Sequence, residues 1–370
     1  MLDKLKYGHI ISAMQQDYRL SIIIPVYNGA KNIGPCLDSI VRQQGFENFQ
    51  VVVINDGSTD KTQSVVIKYV MEHPNIVLLK QRNSGVSVAR NVGIRNAVGD
   101  YVTFVDADDQ VGLCYSAYLP YFIDSGRSVD NMLISKSNLH EAITNYTYSN
   151  KFFANMLDAA DNTNADIVMG GKITINNKAP YIKRHVYEQE KVFSTDPKDK
   201  ATLLSQADLR ESANFCIYSR QFLKDYNLRF MNNMQLDEDI LFCMLACLYA
   251  QKVATVPDVT YLYNRHENSL SNTLNLELSN QKYTLANVQR YSKLLTEIGK
   301  YPEYAQIFNH WLHVFSNECN KTPDSVYNEY FPPTRCAMCP HTICDAQCFL
   351  CSGDNYVLKK LYENTKQLFR

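Results

Sequence analysis

Two stretches, SIIIPVYN at residues 21–28 and YVTFVDADD at residues 101–109, share one form: an apolar run rich in Ile and Val that stops abruptly at polar residues. Two further runs of this kind, Val51–Asn55 and Ile76–Leu79, lie between them. Short strands that are apolar on both faces belong in the middle of a parallel sheet, where helices cover each side. The intervening segments carry apolar residues at helical spacing. Ile33, Leu37, Ile40 and Val41 line one, and Val65, Val66, Tyr69 and Val70 share a side of the next, which Ser58 or Thr59 can cap. Val88, Ala89, Val92 and Gly93 share a face of the third. Three strand-helix alternations predict an open α/β sheet over residues 18–110. Such sheets bind ligands at the carboxyl ends of their strands, so the polar residues after each strand mark the rim to read.

Composition narrows the classes. The chain has 370 residues, 45% hydrophobic and 20% charged, which is the balance of a folded protein of about two domains. Lys and Arg number 37 against 38 Asp and Glu, a net charge of −1, so no chain-wide basic field exists to hold nucleic acid. No apolar stretch reaches the roughly 18 to 20 residues of a membrane span, and the first residues lack the apolar block of a signal peptide. The expectation is a soluble, cytoplasmic chain.

Beyond the sheet the pattern changes. Residues 1–17 form an N-terminal segment, and 111–150 are polar and rich in Ser and Asn, reading as an insertion or lid. Residues 151–273 recover regularity, with a helix near Lys151–Asp161, strands at Asp166–Met169 and near Asn214–Tyr218, and an apolar helix Ile240–Ala250. Residues 274–370 read as a helical extension.

Several polar groups carry candidate chemistry. Asp106 and Asp108 stand at i and i+2 at a strand end, where two carboxylates turned to one point suit Mg²⁺ or Mn²⁺; an acidic surface turn is the alternative. Asp56-Gly57-Ser58 offers a carboxylate to a nucleobase or ribose, or simply a helix cap with a Gly turn. Arg90, in a helix that follows the Gly85 turn, is a partner for a diphosphate or for the acidic cluster. Asp237, Glu238 and Asp239 head the apolar helix, a placement the macrodipole favours on its own.

The motifs SIIIPVYN, VINDGSTD, NSGVSVARN and GDYVTFVDADD, in this order over residues 20–109, resemble the nucleotide-binding half of family 2 glycosyltransferases. The resemblance implies a GT-A fold, with a mostly parallel twisted sheet flanked by helices. It implies a nucleotide-sugar donor, a UDP-sugar, held by Pro25, Tyr27, Asn28, Asp56, Gly85, Arg90 and Asp106, and a metal at Asp106 and Asp108. Residues 18–110 would then bind the donor and 151–273 the acceptor. The Leu236–Phe242 segment resembles the family's second-half acidic pair, which makes Asp239, with Glu238 beside it, the base of an inverting transfer. Tyr261–Ser271 resembles the family's closing segment, with Arg265 toward the donor. His266 stands where members often carry Arg, and would complete the metal shell or bind phosphate. The implied reaction moves a hexosyl or N-acetylhexosaminyl group to a hydroxyl of a glycan or lipid-linked acceptor, in surface polysaccharide synthesis. The rival expectation is a catalytically silent scaffold in a glycan assembly complex.

Five of the eleven cysteines crowd between Cys336 and Cys351. Cys336, Cys339, Cys348 and Cys351 have paired spacing suited to a structural zinc, against reduced thiols in a helical hairpin or a redox cluster. The terminal Tyr356–Arg370 segment is basic and amphipathic; it can rest on the inner face of an anionic membrane, as a peripheral contact, or pack on its own domain.

Overall fold

The computed structural model describes residues 17–112, 151–176, 182–185, 190–205, 213–232, 237–265 and 290–318, with positions 234, 288, 321, 323 and 325–326; the side chains of 173–176, 182–185, 205, 258–260, 265, 302 and 318 lie outside the description. Of the expected insertion or lid at 111–150, residues 113–150 fall outside the described residues, as do His266, the four zinc-type cysteines and the terminal basic segment. The chain divides into two units. One takes Met1–Phe193, Ser212–Asn233 and Ala250–Leu274; the other takes Ser194–Glu211, Met234–Tyr249 and Asn275–Arg370.

The first unit holds the sheet. Strands β1 (Leu20–Val26), β2 (Phe49–Asn55), β3 (Ile76–Lys80) and β4 (Tyr101–Phe104) alternate with helices α1 (Ile33–Val41), α2 (Thr62–Glu72) and α3 (Val86–Asn96). They lie parallel in the order β3-β2-β1-β4. Every residue of β1 and β2 is buried, as strands covered on both faces must be. A mixed half continues the sheet through β9 (Cys216–Ser219), β6 (Ile167–Asn176), β10 (Val253–Arg265) and β5 (Gln110–Val111), with β7 (Ile182–His185) on β6 and β8 (Lys191–Phe193) on β10. Helix α4 (Phe152–Thr163) packs on β6 and β10. The strand order reverses between β1 and β4, and that switch point opens the crevice where α/β sheets take ligands.

Local sequence explains the parallel half closely. The Val26 carbonyl accepts from Asp56 N–H on the β2 side, while the Ile23 carbonyl accepts from Val105 N–H on the β4 side. Pro25 therefore faces the β4 side beyond the last paired residue of that strand, Phe104, where no donor is needed. Gly93 lets α3 lie on β1: a Cβ there would come 2.2 Å from Ile23 Cγ2. Two expectations change. Helix α2 starts at Thr62, later than a Ser58 or Thr59 cap implies, because those hydroxyl residues bridge to Asn28 and Asp60 accepts the Thr62 N–H instead. On α3 the buried face includes Arg90 and Asn91. Asn91 pairs like a strand residue with the Phe230 backbone, donating to its carbonyl at 2.8 Å and accepting its N–H at 2.9 Å. The long β10 has no counterpart in the sequence reading.

The second unit is helical among its described residues: α5 (Pro197–Ser205), α7 (Glu238–Tyr249), a helical run over 290–298, and α8 (Ala305–Glu318); a short helix in the first unit, α6 (Arg220–Asp225), precedes α7 in the chain. Tyr291 stacks on Phe315 at 5.0 Å and meets Trp311 at 5.9 Å in its core. Lys200, almost fully buried, donates from Nζ to the Cys247 carbonyl at 2.6 Å, placing a cation on the last turn of α7. Glu297 is buried and receives Lys293 at 2.6 Å, Lys300 at 2.8 Å and the Tyr249 hydroxyl.

Burial alone would raise the Glu297 carboxyl, but the bonds from Lys293, Lys300 and Tyr249 outweigh it and hold the pKa down at about 2 from 4.5. A depressed carboxylate stabilises fully above its unfolded pKa, and that contribution fades as pH falls from about 4.5 toward 2. Glu297→Gln is therefore expected to cost roughly 1–2 kcal/mol at pH 7 and to approach the parent's stability near pH 2, read from urea midpoints across pH.

Candidate active site

The turn after β4 sits at the switch point, and its three aspartates have three different surroundings. Asp106 faces the crevice with its side chain 28% exposed. Its Oδ1 accepts from buried Arg90 Nη2 at 2.8 Å and its Oδ2 from Asn214 Nδ2 at 2.7 Å. Arg90 also lies 5.1 Å over the Phe230 ring. Arg90 is thus paired with the acidic cluster. Asp108 is half-buried, and its backbone carbonyl accepts from Asn264 Nδ2 at 3.0 Å.

Asp109 points inward and is fully buried. Its Oδ2 accepts the Tyr261 hydroxyl at 2.6 Å and its Oδ1 the Asn264 N–H at 2.8 Å. The same Tyr261 oxygen accepts the Asp106 N–H at 3.2 Å. Burial pushes the Asp109 carboxyl well up, the charges of Asp108 and Asp106 push it further, and the Tyr261 and Asn264 bonds pull it back. Burial, then the Asp109 and Asp106 charges, likewise raise the Tyr261 phenol. The latch works because β10 pairs antiparallel with β5, Tyr261 opposite Val111 and Leu262 opposite Gln110, immediately after the turn.

The neighbouring rim comes from β1 and β2. Tyr27 follows β1 with 52% of its surface exposed, an aromatic face open to a planar ligand. Asn28, at φ 50, accepts the Thr59 N–H at 2.8 Å and gives its own N–H to Ser58 Oγ at 2.9 Å, binding the first rim loop to the second. Asp56 is buried and already engaged: Gln81 Nε2 at 2.7 Å, Ser84 N–H at 2.8 Å and Gly85 N–H at 2.9 Å all donate to it. Asp56 thus draws the loop ahead of α3 onto the end of β2. Gly57 makes room for that approach; its φ is 75 and a Cβ would lie 2.7 Å from Asn83 N. Gly85, at φ 90, opens α3.

Glu238 and Asp239 occupy the first turn of α7 in the second unit, Glu238 buried and Asp239 half-buried. Asp237 precedes them at φ 60 and takes Arg290 Nη1 at 2.6 Å. Pro25 lies inside β1, and Arg265 ends β10 opposite Asn176. Asn214, Tyr261, Asn264 and Gln81 enter the site without a role in the sequence reading. Tyr261 and Asn264 sit in a segment already singled out, whereas Asn214 reaches Asp106 only through the antiparallel pairing of β9 with β4.

Parts of the chain are similar to known proteins. Residues 21–114 match the model of glycosyl transferase family 2, so the motif resemblance holds over that segment. The chain is 44% identical over 98 residues to the uncharacterized glycosyltransferase YibD of Escherichia coli (strain K12), covering 26% of this chain and 28% of that protein. It is 26% identical over 250 residues to the poly(ribitol-phosphate) beta-glucosyltransferase of Bacillus spizizenii (strain ATCC 23059 / NRRL B-14472 / W23), covering 66% and 32% respectively. The first curated relatives are spanned over 14% to 62% of their own lengths. The fold is shared with S. aureus TarS 1-349, a structure solved in complex with UDP-GlcNAc, at a TM-score of 0.52 and 17% identity over 94% of this chain and 92% of that one. The architecture is accordingly α/β of the GT-A type.

Removing the Tyr261 hydroxyl with Tyr261→Phe strips a donor from buried Asp109 and an acceptor from the Asp106 N–H. The expected cost is about 1–3 kcal/mol, measured as a fall in the urea midpoint at unchanged slope.

Proposed function

We propose that this chain, of glycosyl transferase family 2 type over residues 21–114, is a metal-dependent inverting glycosyltransferase that moves a sugar from a UDP-sugar to a hydroxyl of a surface glycan or its lipid-linked precursor. The observation that carries the reading is the aspartate turn at the sheet's switch point, with Asp109 latched inside while Asp106 and Asp108 stay partly exposed. TarS, the fold neighbour, was solved with UDP-GlcNAc, and the B. spizizenii relative is named as a glucosyltransferase acting on a ribitol-phosphate polymer. No helix among the described residues is long and apolar enough to cross a membrane.

The donor set suits a divalent ion. Asp106 and Asp108 offer hard carboxylate oxygens, and after burial their charges raise the neighbouring Asp109 carboxyl. Mg²⁺ or Mn²⁺ is commonly held by one or two carboxylates together with substrate phosphates and water. When bound, such an ion supplies electrostatic stabilisation of the departing diphosphate. Arg90, paired with Asp106, orients that carboxylate. Tyr27 presents a ring to the nucleobase, while Asn28 and Asp56 fix the loops that frame it. Asp239, in the first turn of α7, takes the proton of the acceptor hydroxyl as its oxygen bonds to the sugar's C1; the C1–O bond to the diphosphate breaks and its electron pair leaves with the nucleotide.

A nucleotide-release assay across UDP-sugars with Mn²⁺ tests the reading. One donor is expected to be consumed, with Asp239→Asn lowering kcat by about 10²–10⁴ while UDP affinity stays at the parent value. A parent-like rate in Asp239→Asn would remove Asp239 from the mechanism, and no turnover of any sugar nucleotide would favour a silent scaffold.

A further inference from the structure

Asn264 holds the aspartate turn by two bonds, its N–H on Asp109 Oδ1 and its Nδ2 on the Asp108 carbonyl. Those bonds fix which way its amide lies, since reversing it would set oxygen against the Asp108 oxygen. The remaining atom, Oδ1, is buried and has no hydrogen-bond partner. Asn264 as a whole is 8% exposed. A buried, unmet carbonyl oxygen carries a desolvation cost that nothing offsets. The turn atoms that Asn264 bonds are themselves acceptors: the Asp108 carbonyl and the Asp109 carboxylate. Another acceptor cannot satisfy it, whereas a cation can.

Among the described residues no three His, Cys, Asp or Glu side chains converge as a metal cage. An amide oxygen is the kind of hard, neutral donor that joins carboxylates around Mg²⁺ or Mn²⁺ without adding charge. We infer that Asn264 Oδ1 is a ligand of the divalent cation proposed at Asp106 and Asp108, directly or through one bound water. This rests on the metal-dependent reading above, and it adds a donor from β10 to the two on the turn.

Mn²⁺ binding by the full chain, followed by the EPR signal of free Mn²⁺ with and without UDP, is the test. Asn264→Ala is expected to weaken Mn²⁺ about tenfold while UDP affinity without metal is unchanged. Asn264→Asp keeps an oxygen but loses the bond to the Asp108 carbonyl, and is expected to bind Mn²⁺ at least as tightly as the parent. Parent-like affinity in Asn264→Ala overturns the inference, because a trapped water alone would then account for the oxygen. So does an Asp variant as weak as the Ala variant, which would reduce Asn264 to a prop for Asp108. Should Asn264→Ala not fold, the Asp variant decides alone: undiminished affinity supports the ligand role and a tenfold loss removes it. A parent chain that takes up no Mn²⁺ with UDP present also overturns it. The transfer reading fails separately, on donor consumption, whatever Asn264 does to Mn²⁺.

Discussion

A carboxylate sealed inside the fold, Asp109 against the Tyr261 hydroxyl and the Asn264 N–H, sets where everything at the rim can be. Burying that group is costly, and only the two donors from β10 make it tolerable. The gain is geometric. With Asp109 pinned, the turn is held from its inner side, and Asp106 and Asp108 stay partly exposed. Tyr261 extends the constraint by accepting the Asp106 N–H, so one phenol oxygen fixes both ends of the turn.

Arg90 adds a second constraint of another kind. A guanidinium this deeply buried needs its partner, and removing one member of a buried pair typically costs about 3–5 kcal/mol. Asp106 is thus held by Arg90 on one oxygen and Asn214 on the other.

The parallel half of the sheet was legible because its signals are local. Ile22 to Ile24 and Val51 to Ile54 are buried on both faces, and runs that apolar have few other places to go. Reading failed where a polar residue was recruited by a distant segment. Asn91 looks like the solvated side of α3, yet it turns inward because the Phe230 backbone waits there. Ser58 and Thr59 look like helix caps, yet Asn28 claims them. Asp56 was marked for its chemistry, and its part in seating the Ser84–Gly85 loop needed coordinates. Asn214 and β10 depend on strand pairing between segments far apart in the chain, which periodicity cannot carry.

The interleaving of the two units along the chain has a kinetic meaning. The backbone passes between them five times, near residues 193, 211, 233, 249 and 274. Neither is a continuous stretch, so neither can finish folding as it leaves the ribosome in order. Helix α7, whose Leu241, Phe242, Met244 and Leu248 are buried in the finished molecule, emerges well before Tyr291, Trp311 and Phe315 exist to complete the second core. A nascent chain stalled or cut in that interval would display a sticky apolar helix to its neighbours, which makes residues 290–318 guardians of solubility during synthesis.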